Sequence, residues 1–280
     1  MIMKTAKLNM TMRRWTPPDW GRRTFLMGIL NVTPDSFSDG GKFLSPIHAL
    51  RQAQVMIRTG ADFIDIGAES TRPGAESITA EEEIARLLPV LETMTPVLEV
   101  PISVDTYKAA VARKALTTGV AIINDIWGFQ HDPDMPETVA EFGAGAILMH
   151  NGRGADYPGD MVAEVKKFLE KSIQIAVNAG VAEELIMLDP GIGFGKSVAQ
   201  NLALIRRLGE LRALGFPVLL GTSRKSVIGQ TLNLPVDQRL EGTLATSVAG
   251  VQQGADILRV HDLQANLRAT RMADALYRHG

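Results

Sequence analysis

Short unbroken apolar runs recur along the chain, each closed by a polar residue and followed by a loop and a stretch with helical spacing. The runs cover residues 25–30, 63–66, 102–104, 120–123, 146–149, 185–188, 217–220 and 255–258. Runs without alternation suit parallel strands covered on both faces. Between two of them, Val162, Val165, Leu169, Ile173, Ala176 and Ala179 recur with the period of an amphipathic helix that Gly180 stops. A last helix takes Asp262 as its N-cap and sets Leu263, Leu267, Ala273 and Leu276 on one side. Eight strand–helix units in series predict an α/β fold, a (β/α)8 TIM barrel forming one domain over residues 24–280. Residues 1–23 form a short N-terminal lead-in that covers the bottom of the barrel. An open doubly wound sheet is the alternative architecture.

The polar residues that close the runs are, in order, Asn31, Asp65, Asp105, Asn124, His150, Asp189, the Ser223-Arg224-Lys225 cluster, and Arg259 with His261. In a barrel all of them converge on the rim where active sites of this fold sit. Taken singly, an Asp or Asn at a strand end caps the next helix or makes an Asx-turn as readily as it serves a site. His150 alone reads as a packed, hydrogen-bonded residue. Taken together, three carboxylates and two amides offer mainly acceptors, which suits a flat heterocycle rich in N–H donors. Arg72, Arg259 and His261 supply cations for a phosphate or diphosphate. Arg259 and His261 lie two residues apart on one face of the last strand, where barrels commonly bind phosphate. The cations and the Asp/Asn group are therefore expected to form separate subsites.

Composition removes several classes. The 280 residues carry a formal net charge of −2 and no cysteine, so disulfides and thiolate metal sites are excluded, and a reducing cytoplasmic location is favoured. The early basic residues Lys4, Lys7, Arg13, Arg14, Arg22 and Arg23 read as a solvated lead-in, not as a nucleic-acid stripe. No apolar run approaches the ~18 residues of a membrane span, and no apolar block follows the basic residues as in a signal peptide. Gly191-Ile-Gly-Phe-Gly-Lys-Ser197 fails the spacing of a nucleotide phosphate loop, because Pro190 stands where the first glycine belongs. The histidines at 48, 131, 150, 261 and 279 are scattered, which disfavours zinc.

Beyond these residue-level readings, the motifs resemble those of the dihydropteroate synthases. Asn31-Val-Thr-Pro-Asp-Ser-Phe-Ser-Asp-Gly-Gly41 and Asp65-Ile-Gly-Ala-Glu-Ser-Thr-Arg-Pro-Gly74 are similar to that family's first-loop and second-loop signatures. Ser103-Val-Asp-Thr-Tyr-Lys108, Ile123-Asn-Asp-Ile126, Asp189-Pro-Gly-Ile-Gly-Phe-Gly-Lys196, Gly221-Thr-Ser-Arg-Lys-Ser226 and Arg259-Val-His261 follow in the family's order. The resemblance implies condensation of 6-hydroxymethyl-7,8-dihydropterin diphosphate with p-aminobenzoate. It implies a pterin pocket of Asp105, Asn124, Asp189 and Lys225, and a diphosphate site of Asn31, Thr71, Arg72, Arg259 and His261. It further implies a p-aminobenzoate slot of Phe37, Pro73, Phe194 and Ser226, a Mg2+ ion met by Asn31, and a homodimer through late helices. Asp105, Asp35 and Lys225 are the residues expected to assist the chemistry. Ser226 is expected to open a short helix, and residues 32–41 and 70–75 to close over the diphosphate before p-aminobenzoate binds. Asn151, where the family often has Met, leaves the lining near the fifth strand open. A pterin-binding methyl transferase serving a corrinoid protein, or a non-catalytic paralogue, would share the Asp/Asn pocket. The first-loop signature, Arg72 and the intact ring of motif residues argue against both.

Overall fold

Every one of the eight apolar runs forms a strand in the computed structural model, and all eight lie parallel in one sheet. The structure describes residues 15–32, 45–69, 77–153 and 157–278. The strands are β1 (Phe25–Asn31), β2 (Phe63–Gly67), β3 (Ile102–Asp105), β4 (Ile122–Asp125), β5 (Gly145–Met149), β6 (Ile186–Asp189), β7 (Leu219–Leu220) and β8 (Ile257–Val260). Their order runs from β6 down to β1 and on through β8 to β7. A parallel bridge between Leu188 and Val218 joins β6 to β7 and closes the ring. This is the (β/α)8 barrel that the sequence pattern implies, and closure excludes the open sheet.

Burial on two faces explains the absence of alternation in the strand sequences. One set of side chains (Leu26, Leu30, Ile64, Ile66, Val104, Ile123, Leu148, Leu188, Leu258) packs outward against the helices. The alternate set (Phe25, Met27, Phe63, Ile122, Ile147, Met187, Leu219, Ile257) fills the lower interior as a separate apolar core. Trp15 and Trp20 close that interior from below. Trp20 meets the Phe25 ring edge-on at 5.3 Å and stacks on Phe63 at 6.5 Å. Trp15 lies against Gly145, where any side chain would collide with its ring. The described part of the lead-in, from Trp15 on, thus covers the bottom of the barrel, and Arg22 is a solvent-exposed partner of Asp19.

The helices are α1 (Pro46–Arg58), α2 (Ala80–Met94), α3 (Ala109–Thr117), α4 (Met135–Phe142), α5 (Met161–Asn178), α6 (Val198–Arg206), α7 (Gly209–Arg212), α8 (Ser226–Leu232), α9 (Leu240–Gln252) and α10 (Leu263–Tyr277). Local chemistry sets their ends. Thr79 and Asp160 cap α2 and α5 by accepting the backbone N–H of Glu82 and Val162. Ser197 and Gln200 make a reciprocal capping box at α6. Beyond α5, Gly180 adopts φ +95°, a left-handed conformation that L side chains rarely reach. Two expectations for α10 need correction. Asp262 stands at the N-cap but makes no capping bond, because both its oxygens hold the Arg224 guanidinium. Leu276 does not join Leu263 and Ala273 in the core: it is 58% exposed, as Met272 is at 60%.

Candidate active site

Above the apolar interior, the inward-facing positions of the strands turn polar, and their side chains meet. Strand alternation that puts Phe63 inward also puts Asp65 inward; Ile122 likewise brings Asn124, Met187 brings Asp189, and Ile257 brings Arg259. Neighbouring Asp125 points the other way, out of the barrel, where it accepts the Trp127 and Phe129 N–H groups at 2.8 and 2.9 Å. Arg259 is the hub of the tier. Its Nε donates to Asp65 Oδ2 at 2.6 Å and its Nη2 to Asp105 Oδ2 at 3.1 Å. Asn124 Nδ2 donates to the same Asp65 oxygen at 3.3 Å. The expected separation of cations from the Asp/Asn group therefore fails for Arg259, which lies inside the carboxylate cluster because the strand pleat aims it there.

Asp189 and Lys225 form the second half of the tier. Asp189 Oδ1 accepts the Gly191 N–H at 2.7 Å, leaving the rest of the carboxylate for another donor. Lys225 is the N-cap residue of α8, and its Nζ donates to Ile192 O at 2.6 Å. Burial dominates the electrostatics. It raises Asp105 to about 7 against the opposing charge of Arg259, and it raises Asp189 against Lys225 and the Gly191 N–H. Burial pulls Lys225 down to about 8, with Asp189 opposing. For Arg259 the loss of solvent is outweighed by Asp65, Asp105 and Asp189, so its guanidinium is held more firmly charged.

The tier contains polar atoms with nothing to bond. Asp65 Oδ1, Asn124 Oδ1 and Ser103 Oγ are buried without a partner. Buried acceptors of this kind cost about 1–3 kcal/mol each when left empty, so the tier is built for a molecule that brings N–H donors.

The other expected residues are distributed as follows. Asn31 is exposed at the upper end of β1, paired in register with Gly67. His261 Nδ1 lies 3.0 Å from Ser223 Oγ, which also accepts the His261 backbone N–H. Phe194 is half-buried, with the Lys225 ammonium 5.0 Å and the Arg153 guanidinium 5.1 Å from its ring centroid. Ser226 opens α8 as expected and is exposed. Asp35, Phe37, Thr71, Arg72 and Pro73 lie outside the described residues, as does most of the two segments expected to close. Two members of the strand-end ring do not face the interior. His150 is fully buried against the Phe168 ring of α5, with Tyr157 Oη 3.3 Å from its Nε2, and burial holds its imidazole down at about 3. Arg224 adopts φ +58° and turns away to Asp262. Asn151 is buried; its Oδ1 accepts the Arg153 N–H while its Nδ2 lacks a partner.

Asp65 is the main site residue that sequence reasoning left out of the pocket. It was legible as one of the polar strand residues, but β2 runs on to Gly67, so Asp65 sits a tier below the rim rather than at it. Ser103 was also legible, as the inward residue two before Asp105.

Comparison with known proteins agrees with this geometry. The family model described as "Pterin binding enzyme" matches residues 27–261. The dihydropteroate synthase of Bacillus subtilis is 52% identical, over 92% of this chain and 90% of that protein. That of Clostridium beijerinckii is 49% identical, over 92% and 96%. Among solved structures, a Clostridium difficile dihydropteroate synthase in the presence of pteroic acid superposes with a TM-score of 0.91 at 50% identity, over 94% of this chain and 100% of that one. A Xanthomonas albilineans dihydropteroate synthase with 4-aminobenzoic acid gives 0.87 at 41% identity, over 91% and 94%. The polar tier, the barrel that carries it and these likenesses agree: the chain belongs to the dihydropteroate synthases of the pterin-binding enzyme family, transferases of folate biosynthesis that join a dihydropterin to p-aminobenzoate.

Proposed function

We propose that the tier of Asp65, Asp105, Asn124, Asp189, Lys225 and Arg259 binds the pterin of 6-hydroxymethyl-7,8-dihydropterin diphosphate, and that p-aminobenzoate attacks from beside Phe194 and Ser226. The observation that carries this reading is the set of buried, empty acceptors on Asp65 and Asn124 beside the half-used Asp189 carboxylate. A pterin offers an amino group and ring N–H donors on one edge and a carbonyl on the other. Asp189 accepts two adjacent N–H groups, Asn124 accepts another, and Lys225 donates to the carbonyl with an N–H that Ile192 does not use. The relatives solved with pteroic acid and with 4-aminobenzoic acid support the same pair of ligands for this chain.

In the reaction, the bond between the pterin methylene carbon and the diphosphate oxygen breaks, and the electron pair leaves with the diphosphate. The aniline nitrogen forms the new C–N bond and sheds a proton. Asp105, ionised above about 7, eases positive charge on the methylene, and Asp35 serves as a second carboxylate. Arg259 and His261, with Asn31, Thr71 and Arg72, hold the diphosphate and stabilise the charge it gains. Phe37 and Pro73 join Phe194 and Ser226 around the benzene ring.

Among the described residues, no group of three His, Asp or Glu could hold a metal by itself. Mg2+ keeps most of its waters and takes one or two protein oxygens plus substrate phosphates, and the exposed Asn31 amide at the end of β1 offers one such oxygen. Asn31 is the residue that would meet it, and the ion would neutralise charge on the leaving diphosphate.

A homodimer through late helices is supported by Met272 and Leu276, exposed apolar residues one turn apart on α10. Among the described residues no helix is long and apolar enough to cross a membrane, and the absence of cysteine suits a cytoplasmic enzyme. The test of the whole reading is to mix dihydropterin diphosphate, p-aminobenzoate and Mg2+ with the protein and measure pyrophosphate. Release that depends on both organic substrates is expected; no release from folded protein rejects the reading.

A further inference from the structure

The loop that leaves β6 is held from two sides by two lysines. Lys225 takes the Ile192 carbonyl from the side of the site, at 2.6 Å. Lys196 works from within the loop. Its side chain folds back, and its Nζ donates to Gly191 O at 2.8 Å, Phe194 O at 3.1 Å and His150 O at 3.3 Å. An ammonium has three N–H donors and no acceptor, so three carbonyls match it one for one. Two of the three belong to the loop after β6 and the third to His150, the residue just after β5, so the lysine ties the two loops together. They lie in contact there: a side chain on Gly191 would strike the His150 carbonyl, and one on Gly195 would strike the Gly152 backbone. The Gly152 N–H also bonds Phe194 O at 3.2 Å. Asn201 completes the hold, accepting the Gly193 N–H at 2.8 Å and donating to Lys196 O at 3.1 Å.

We propose that Lys196 is a positioning residue for the aminobenzoate subsite, gathering three carbonyls, that of Phe194 among them, so that the Phe194 ring stands in a fixed place. It acts through Phe194 rather than through either substrate. The inference rests on the assignment of Phe194 to that subsite. Burial supports it by pulling the Lys196 ammonium down to about 7, with Asp189 opposing and Lys225 adding to the fall. The groups around it are Asp189 on β6, Lys225 ahead of α8 and His150 after β5, the last held neutral. A neutral amine keeps only two N–H donors for three carbonyls, so the hold weakens as the proton leaves.

The experiment compares wild type, Lys196→Met and Phe194→Ala in steady-state kinetics with Mg2+. For Lys196→Met the KM for p-aminobenzoate is expected to rise about tenfold or more, the scale of losing a charged hydrogen-bond donor, with kcat and the affinity for a bare pterin changed by less than about threefold. In wild type the same KM is expected to climb between pH 6.5 and 8.5, and in Lys196→Met to lose that climb. Should Lys196→Met fail to fold, Lys196→Gln is read in the same way. An unchanged aminobenzoate KM in the lysine variants, alongside a raised one in Phe194→Ala, overturns the role of Lys196 while leaving the subsite intact. An equal fall in pterin affinity and kcat overturns it too, as a general structural effect. If Phe194→Ala also leaves the KM unchanged, the subsite assignment fails and takes this inference with it.

Discussion

Arg259 on β8 donates its Nε–H to Asp65 on β2 at 2.6 Å, joining the two strands that flank β1 across the barrel interior. Asp65 is fully buried and Arg259 is 18% exposed, so neither charge can turn to bulk water if the other is removed. Breaking a buried pair by deleting one partner typically costs about 3–5 kcal/mol, because the remaining charge is stranded. Arg259→Ala and Asp65→Ala are each expected to lose stability on that scale in urea unfolding. Arg259→Ala is also expected to weaken a bare pterin along with the diphosphate, since Asp105 loses its partner in the same step. Calorimetry with a pterin lacking diphosphate checks this; a loss confined to diphosphate ligands would mean that the carboxylates hold their places without the arginine.

Asp189 makes a sharper test of the pterin pocket, because its role is chemical and not mainly structural. One oxygen already holds the Gly191 N–H at 2.7 Å. Asp189→Ala removes a charged bidentate acceptor and is expected to abolish measurable pterin binding, at a cost of a few kcal/mol. Asp189→Asn is expected to fail as well, because its amide turns a donor toward one of the two pterin N–H groups. Near-native affinity by titration calorimetry in either variant would locate the pterin elsewhere.

His150 predicts an acid sensitivity with a definite sign. Folded, its imidazole stays neutral down to about 3, chiefly through burial, with Lys196 adding to the effect. Unfolded, it takes up a proton near 6.5. Between those values the unfolded chain binds more protons, so stability falls as pH falls, by up to about 1.4 kcal/mol per pH unit from this group. The stability difference between wild type and His150→Gln is therefore expected to shift against wild type as pH drops from 6.5 toward 3.5. Parallel urea-derived curves over that range would show that His150 is not held neutral.

The fold was readable because parallel strands covered on both faces leave unbroken apolar runs, and those runs marked all eight strands to within a few residues. The depth of each side chain was less readable. Asp65 and Asp105 look alike in the sequence, yet β2 extends past Asp65 to Gly67 while β3 ends at Asp105, so one is a buried anchor and the other faces the opening. Direction was hardest to read where the chain leaves a strand. Beyond β7 the positive φ of Arg224 sends its guanidinium to Asp262, while Lys225, one residue later, reaches the site. His150 follows β5 directly but turns outward to α5, the packed reading that its isolation in the sequence already favoured. The clamp of Lys196 left no trace in spacing, because all its partners are backbone carbonyls.

Asp105 and Lys225 together set an expectation for the pH dependence of turnover. Asp105 must be ionised to ease positive charge on the pterin methylene, and burial has raised it to about 7. Lys225 must keep its proton so that its bond to the pterin carbonyl carries a positive charge, and burial has lowered it to about 8 with Asp189 opposing. The rate at low dihydropterin diphosphate reports the free enzyme, so kcat/KM for that substrate is expected to rise through about pH 7 and fall above about pH 8, leaving a narrow maximum. Two variants separate the limbs. Asp105→Asn removes the titrating carboxylate, so the residual rate is expected to lose its acid limb. Lys225→Arg substitutes a group that stays protonated throughout the accessible range, so its alkaline limb is expected to move up by more than about one unit, even if the planar guanidinium fits poorly and lowers the rate. An alkaline limb that stays near pH 8 in Lys225→Arg would assign that proton to another group, and the role of Lys225 would reduce to holding the Ile192 carbonyl.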